Sequence, residues 1–121
     1  MKKTVILFLG LILLISCDRN VYYDYFIINN NNEEIEIHLI DLDNKSFTYN
    51  ISAGMIQLVY HNEGMNFLED RMVESFIKKI TITKGGTVSK INYISRNRWD
   101  FKPTSKYHAN SYLTVKPEDF E

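Results

Sequence analysis

Between residues 34 and 39 the chain reads Glu34-Ile35-Glu36-Ile37-His38-Leu39, apolar and polar in strict alternation. Only an extended strand puts Ile35, Ile37 and Leu39 on one face and Glu34, Glu36 and His38 on the other, so one face is core and one is wet. Strand character recurs along the chain. Val21 to Ile28 is rich in Tyr, Phe and Ile; Phe47, Tyr49 and Ile51 alternate with polar neighbours; Ile56, Leu58 and Tyr60 form a further apolar face. Phe76 to Thr83, Val88 to Ile94 and Tyr107 to Val115 continue the series, the last ending before Pro117. The separators are turn chemistry. The run Asn29 to Asn32 predicts a hairpin because asparagine tolerates positive φ, Asp43-Asn44 and Ser52-Ala53-Gly54 predict further turns, and Gly85-Gly86 suits a primed hairpin turn. Pro103-Thr104-Ser105 reads as a loop.

Roughly seven strands spaced about every 8 to 12 residues predict an all-β, immunoglobulin-like antiparallel β-sandwich over residues 21–121, with a partly open barrel as the alternative. One short helical crossover is expected at Asn66 to Ser75, where Leu68, Met72 and Phe76 recur at intervals of four. The shared core is expected to hold Ile35, Ile37, Leu39, Phe47, Tyr49, Ile51, Leu58, Ile80, Ile82 and Leu113.

The N-terminus carries a different signal. Lys2 and Lys3 precede an apolar run, Val5 to Ile15, interrupted only by Gly10. This run spans roughly 17 Å as a helix, short of the ~30 Å hydrocarbon layer, and reads as a cleaved signal peptide over residues 1–16. Leu14-Ile15-Ser16-Cys17 resembles a bacterial lipobox, with a small residue before the cut and cysteine after it. That resemblance implies a thioether-linked lipid on Cys17, the only cysteine of the chain, which also excludes an intramolecular disulfide. Two or three acyl chains, at ~0.8 kcal/mol per buried CH2, make a stable anchor. Residues 17–20 form a lipidated tether, and Cys17 stands at most about 14 Å from Val21, so the folded body lies close to the lipid surface. The expected place is the cell envelope, at the outer membrane rather than the inner, facing the periplasm or the surface.

Trp99, Tyr107-His108-Ala109, Tyr112-Leu113-Thr114-Val115 and Glu118-Asp119-Phe120 resemble the ending of small Bacteroidetes lipoproteins with a single uncharacterised β-sandwich domain. The resemblance implies a compartment and a fold, and it transfers no catalytic residues.

Enzyme motifs fail in turn. There is no Gly-x-Ser-x-Gly elbow, no phosphate-binding loop and no pair of histidines spaced for a zinc protease. His38, His61 and His108, with Glu63, could hold a metal only if the fold gathered them; surface histidines are the expectation. Asp41 and Asp43 echo a calcium loop, but Lys45 and Ser46 stand where an oxygen ligand and a glycine belong, so an ordinary turn is expected. Glu69, Asp70 and Glu74 read as a solvated helix face rather than an acid–base pair. No cofactor and no metal are expected, and the chain reads as a non-enzyme.

Charge is segregated along the chain. From Cys17 to Ser75 three basic residues face eleven acidic ones; from Phe76 to Glu121 nine basic residues face four. The basic half interleaves Lys90, Arg96, Arg98, Lys102 and Lys106 with Tyr93, Trp99, Phe101 and Tyr107, a composition suited to anionic or glycan ligands. Lys90, Tyr93, Arg96, Arg98, Trp99, Lys102, Lys106 and Tyr107 are therefore the candidate binding residues, although a single tryptophan in a sandwich is more often core. Nucleic acid is excluded as a partner by the compartment. The expected function is a lipid-anchored binding or structural module that docks an envelope protein or glycan. The alternative is an immunity or inhibitor lipoprotein acting at the membrane, suggested by the acidic strand Glu33 to Glu36.

Overall fold

Strand β1 (Asn20–Asn29) buries Val21, Tyr23, Tyr25 and Ile27 and turns the residues between them outward. In the computed structural model, which describes residues 20–65, 68 and 73–121, seven more strands follow. They are β2 (Ile35–Asp41), β3 (Ser46–Ile51), β4 (Ile56–Met65), β5 (Ile77–Lys84), β6 (Thr87–Val88), β7 (Trp99–Ser105) and β8 (His108–Val115). The expected signal peptide, Cys17 with the expected tether up to Arg19, and most of the expected helical crossover lie outside the described residues. Within that crossover, Val73–Ser75 forms one 3-10 turn.

Two four-stranded sheets form an all-β sandwich: sheet A in the order β4-β1-β8-β7 and sheet B in the order β3-β2-β5-β6. One core lies between them. Val21, Tyr23, Tyr25, Ile27, Val59 and Leu113 come from sheet A, and Ile35, Ile37, Leu39, Ile51, Ile80 and Ile82 from sheet B. The Ile37 side chain is fully buried, whereas its neighbour Glu36 points to solvent. Ile37→Ala is expected to cost about 2 to 5 kcal/mol and Glu36→Ala under ~0.5, measured by denaturant unfolding; equal effects would refute the facing.

The sandwich is not wholly antiparallel. β1 and β8 pair in parallel from Tyr22↔His108 to Asn29↔Val115, because the β7–β8 turn enters sheet A at the end where β1 begins. Nor do β1 and β2 form a hairpin, since they lie in different sheets. None of Asn29 to Asn32 has positive φ; among non-glycine described residues only Asn44 does, at the β2–β3 turn. The asparagines act through their side chains instead. Asn29 is fully buried, donates from Nδ2 to the carbonyls of Glu33 and Ile51, and accepts from the backbone and side chain of Asn31. Asn31 donates to Val115 O and accepts from Lys84 Nζ, so the crossing strands are tied at this end by amides.

Leu58, expected in the core, lies outside it. The β1–β4 register shifts between Tyr25 and Phe26, so that Tyr25 faces Tyr60 while Phe26 faces Leu58. The extra residue, Val59, takes the inward position, and the bulge turns Leu58 and Ile56 outward, 42% and 49% exposed. The β2–β5 pair shifts likewise between Ile40 and Asp41, which brings both Ile77 and Ile80 inside.

The two glycines of the β5–β6 turn have φ of 53° and 81°, as a primed hairpin turn requires. The strand expected from Val88 to Ile94 stops at Val88, because the chain leaves the sheet to bury Tyr93. Pro103 sits within β7 rather than in a loop. An edge strand tolerates it, since proline has no N–H to offer the ladder.

Candidate functional site

The outward residues of sheet A form a continuous surface. Register places Ile28 opposite Ile56, Phe26 between Leu58 and Tyr112, and Asp24 opposite His61. Phe26 and Tyr112 stack, with centroids 5.3 Å apart and planes at 17°, and the Lys102 ammonium lies 5.6 Å from the Tyr112 ring. Asn110 donates from Nδ2 to the Tyr112 hydroxyl, while its buried Oδ1 has no donor among the described residues. Ile56, Leu58, Phe26 and Tyr112 thus make an apolar strip across three strands, bordered by one cation.

Toward the start of β1 the same face becomes polar. Asp24 is held between two imidazoles: His61 Nδ1 at 2.5 Å from Oδ1 and His108 Nε2 at 2.7 Å from Oδ2. The Tyr22 ring stacks on His61, and Glu63 Oε1 lies 3.6 Å from His61 Nε2. Thr104 Oγ1 is 2.9 Å from His108 Nδ1 and 3.2 Å from His108 O. A hydroxyl, imidazole and carboxylate in series can activate a nucleophile when a cleft and oxyanion donors surround them. Here the series lies on an open strand face, and the hydroxyl also has the His108 carbonyl to donate to. Among the described residues no three His, Cys, Asp or Glu side chains are placed to share a metal ion. The cluster is a polar clamp that ties β4, β1 and β8 together.

Burial by itself would raise the Asp24 pKa, but the hydrogen bonds and charges of His61 and His108 outweigh it and hold the pKa below the usual value. The hydrogen bond to Asp24 is the main reason that the His61 pKa is raised. The depressed Asp24 pKa adds stability above the ordinary carboxylate value of 3.8, and this is lost as pH falls through the folded-state value. The raised His61 pKa adds stability below 6.5, which is lost as pH rises through its folded-state value. The clamp therefore contributes most between those two limits. Asp24→Asn is expected to lower stability within that window and to flatten the limbs of the profile on either side of it, by a modest amount because His61 is about half exposed. An unchanged profile in thermal melts from pH 3 to 9 would refute the assignment.

The sequence-predicted binding residues do not converge. Tyr93 is 1% exposed, and its hydroxyl donates to Ser89 Oγ at 2.7 Å. Burial, with Asp119 beside it, pushes its pKa up to about 12. Trp99 is 8% exposed; it packs edge-on against Tyr25 and donates from Nε1 to Tyr93 O at 2.6 Å. Both are core because the segment between β6 and β7 folds inward to close the sandwich. Lys90, Arg96 and Arg98 are exposed. Arg98 lines an open groove of about 860 Å³ with Lys116, Asp100 and Glu118, a wall of mixed sign rather than a basic one. Lys102 belongs to the sheet A face, and Lys106 and Tyr107 lie in the β7–β8 turn. Cys17 lies outside the described residues.

The charge segregation also disperses. Lys78 and Lys79 stand on β5 beside β2, which carries Glu36, while Lys102 stands in the other sheet.

Phe26, Ile56, Leu58 and Tyr112 were not singled out by the sequence as a surface. A signal for them exists in β1: Val21 to Ile28 is apolar or aromatic on both faces except at Asp24, whereas a strand with one wet face alternates with polar residues. Comparison of the chain with family models, with curated proteins and with solved structures gives no match.

Proposed function

We propose that this chain is a lipid-anchored, non-enzymatic binding module of the bacterial cell envelope, which docks a protein or glycan partner on the outer face of sheet A. The observation that carries the reading is the strip Ile56–Leu58–Phe26–Tyr112 beside Lys102, an aromatic and apolar surface on the solvent side of a sheet. Water-facing strand positions are usually polar, and a contiguous apolar patch marks a contact surface. Phe26 and Tyr112 supply flat apolar faces and Lys102 a hydrogen-bond donor, a set that serves protein and sugar surfaces alike. The immunoglobulin-like reading of the sandwich is part of this proposal, and it rests on the two packed four-stranded sheets; the first two strands lie in different sheets, unlike those of a constant-type domain. The inhibitor alternative would be favoured by a contiguous acidic patch. Glu36 instead stands between Asn50 and Thr83.

Anchoring rests on the lipobox resemblance, and the start of β1 at Asn20 keeps the body within the short tether's reach of the lipid. Cys17→Ser is expected to abolish fatty-acid labelling and to move the protein out of the lipoprotein fraction; unchanged labelling would refute the anchor. The docking surface is tested by crosslinking in the native envelope. Ile56→Glu should reduce recovery of the crosslinked partner at least tenfold without lowering thermal stability, whereas unchanged recovery would exclude this face.

A further inference from the structure

The open groove of about 860 Å³ is enclosed by the segment between β6 and β7, the start of β7, the end of β8 and the C-terminal turn Pro117–Phe120. It lies where β1 finishes, since Asn29 pairs with Val115, and so at the opposite end of sheet A from Asn20 and Met65. Its floor is fixed by Asp119, which is 8% exposed. The Asp119 carboxylate accepts from Lys116 N at 3.1 Å and lies 3.4 Å from the Tyr93 hydroxyl, so its charge is engaged within the fold.

Four exposed charges remain around the opening. Arg98 and Lys116 bring two cations, and Asp100 and Glu118 bring two carboxylates. No two of these four form an ion pair with one another. Between them Ser95, Asn97 and Thr114 add hydroxyl and amide groups.

We propose that this groove binds a short peptide segment that carries one cationic side chain and one carboxylate. A ligand of a single sign is repelled by half of the charges around the opening, whereas one with both signs sets each charge against its opposite. The Arg98 guanidinium is a planar fork that takes a carboxylate through two parallel hydrogen bonds, and Asp100 and Glu118 accept from an ammonium. Ser95, Asn97 and Thr114 can both donate and accept, which suits the N–H and C=O groups of a peptide backbone. Among the described residues the lining holds no aromatic ring, so the groove offers a sugar no face to stack on. Its volume falls in the upper part of the ~300–1,000 Å³ range of ligand clefts, which suits a peptide rather than a single ion.

The test follows amide NMR shifts of the full chain in micelles of dodecyl maltoside, a nonionic detergent that cannot compete for the charges. The probes are three end-capped peptides, Ala-Glu-Lys-Ala, Ala-Glu-Ala-Lys-Ala and Ala-Glu-Ala-Ala-Lys-Ala. Each has two controls, in which both charged residues are Glu or both are Lys. At least one probe is expected to shift the amides of residues 95–100 and 114–119 and to bind at least tenfold more tightly than both of its controls, with affinity falling as salt is raised. Arg98→Glu and Asp100→Lys should each weaken binding at least tenfold. The double variant, which restores two charges of each sign, should recover to within about threefold of the parent. The control peptides decide the matter if a variant misfolds. Ile56→Glu should bind the peptide as the parent does, which separates the groove from the apolar strip of sheet A. No binding of any probe at millimolar concentration, a single-signed control that binds as tightly, or shifts confined to the outer face of sheet A would overturn the proposal. So would a folded double variant no better than the single ones, because charge complementarity would then not be what holds the peptide.

Discussion

Trp99→Ala is expected to destabilise the domain by about 3 to 5 kcal/mol, the range for truncating a large buried aromatic. The indole opens β7 opposite Leu113, lies edge-on to Tyr25 with centroids 5.6 Å apart, and donates to the Tyr93 carbonyl at 2.6 Å. Truncation empties a site between the two sheets and leaves that carbonyl without its donor. The loss should spread to Tyr93, whose hydroxyl meets Ser89 and Asp119 in the network that seats the C-terminal turn, Pro117–Phe120. The neighbouring Arg98→Ala should cost under ~0.5 kcal/mol, because its side chain is exposed. Denaturant unfolding of the two variants decides the point. A Trp99 variant as stable as Arg98→Ala would mean that the ring is a surface platform after all.

The second large effect is expected at Asn29. Its amide serves four hydrogen bonds, two donated to Glu33 O and Ile51 O and two accepted from Asn31. Asn29→Ala removes every one of these while the partners stay in place, and each buried group left unsatisfied costs about 1 to 3 kcal/mol. A total of about 3 kcal/mol or more follows, even with partial relaxation. For a domain of this size each kcal/mol lowers Tm by roughly 4 to 8 °C, so the melting point should fall by more than about 10 °C. Asn32→Ala, on an exposed neighbour in the same run, should leave it within about 3 °C. Equal melting points for the two variants would show that the amide network is dispensable.

These two residues show what was legible before the structure. Asn29 stood out in a run of four asparagines, but the run reads as a turn through backbone φ. Its actual role is to bond strand ends from two different sheets, contacts 22 and 84 residues apart in the chain for Asn29–Ile51 and Asn31–Val115. Trp99 and Tyr93 stood among cations and so looked like a binding stretch. Burial of both depends on the segment after β6 leaving the sheet, which no local pattern announces. Leu58 looked like core because alternation was carried straight through β4, whereas the bulge at Val59 reverses it.

The candidate surface was hidden for the same reason. Phe26, Leu58 and Tyr112 come from three strands, and the reversal at Val59 is what turns Leu58 out beside Phe26. His61 and His108 were visible as separate histidines, and Asp24 was not singled out. Their meeting depends on β8 entering beside β1 in parallel, which brings Asp24 and His108 together from 84 residues apart.

The sequence by itself determined the strand character, the inward face of β2, β3, β5 and β8, and the Gly85-Gly86 turn, because each depends on side chains within a few positions of one another. The tertiary structure alone decided which strands pair, where a bulge reverses the facing, and which polar groups meet. Those outcomes depend on hydrogen-bond registers and packing between segments far apart in the chain, and a period of two along one strand carries no information about its neighbour.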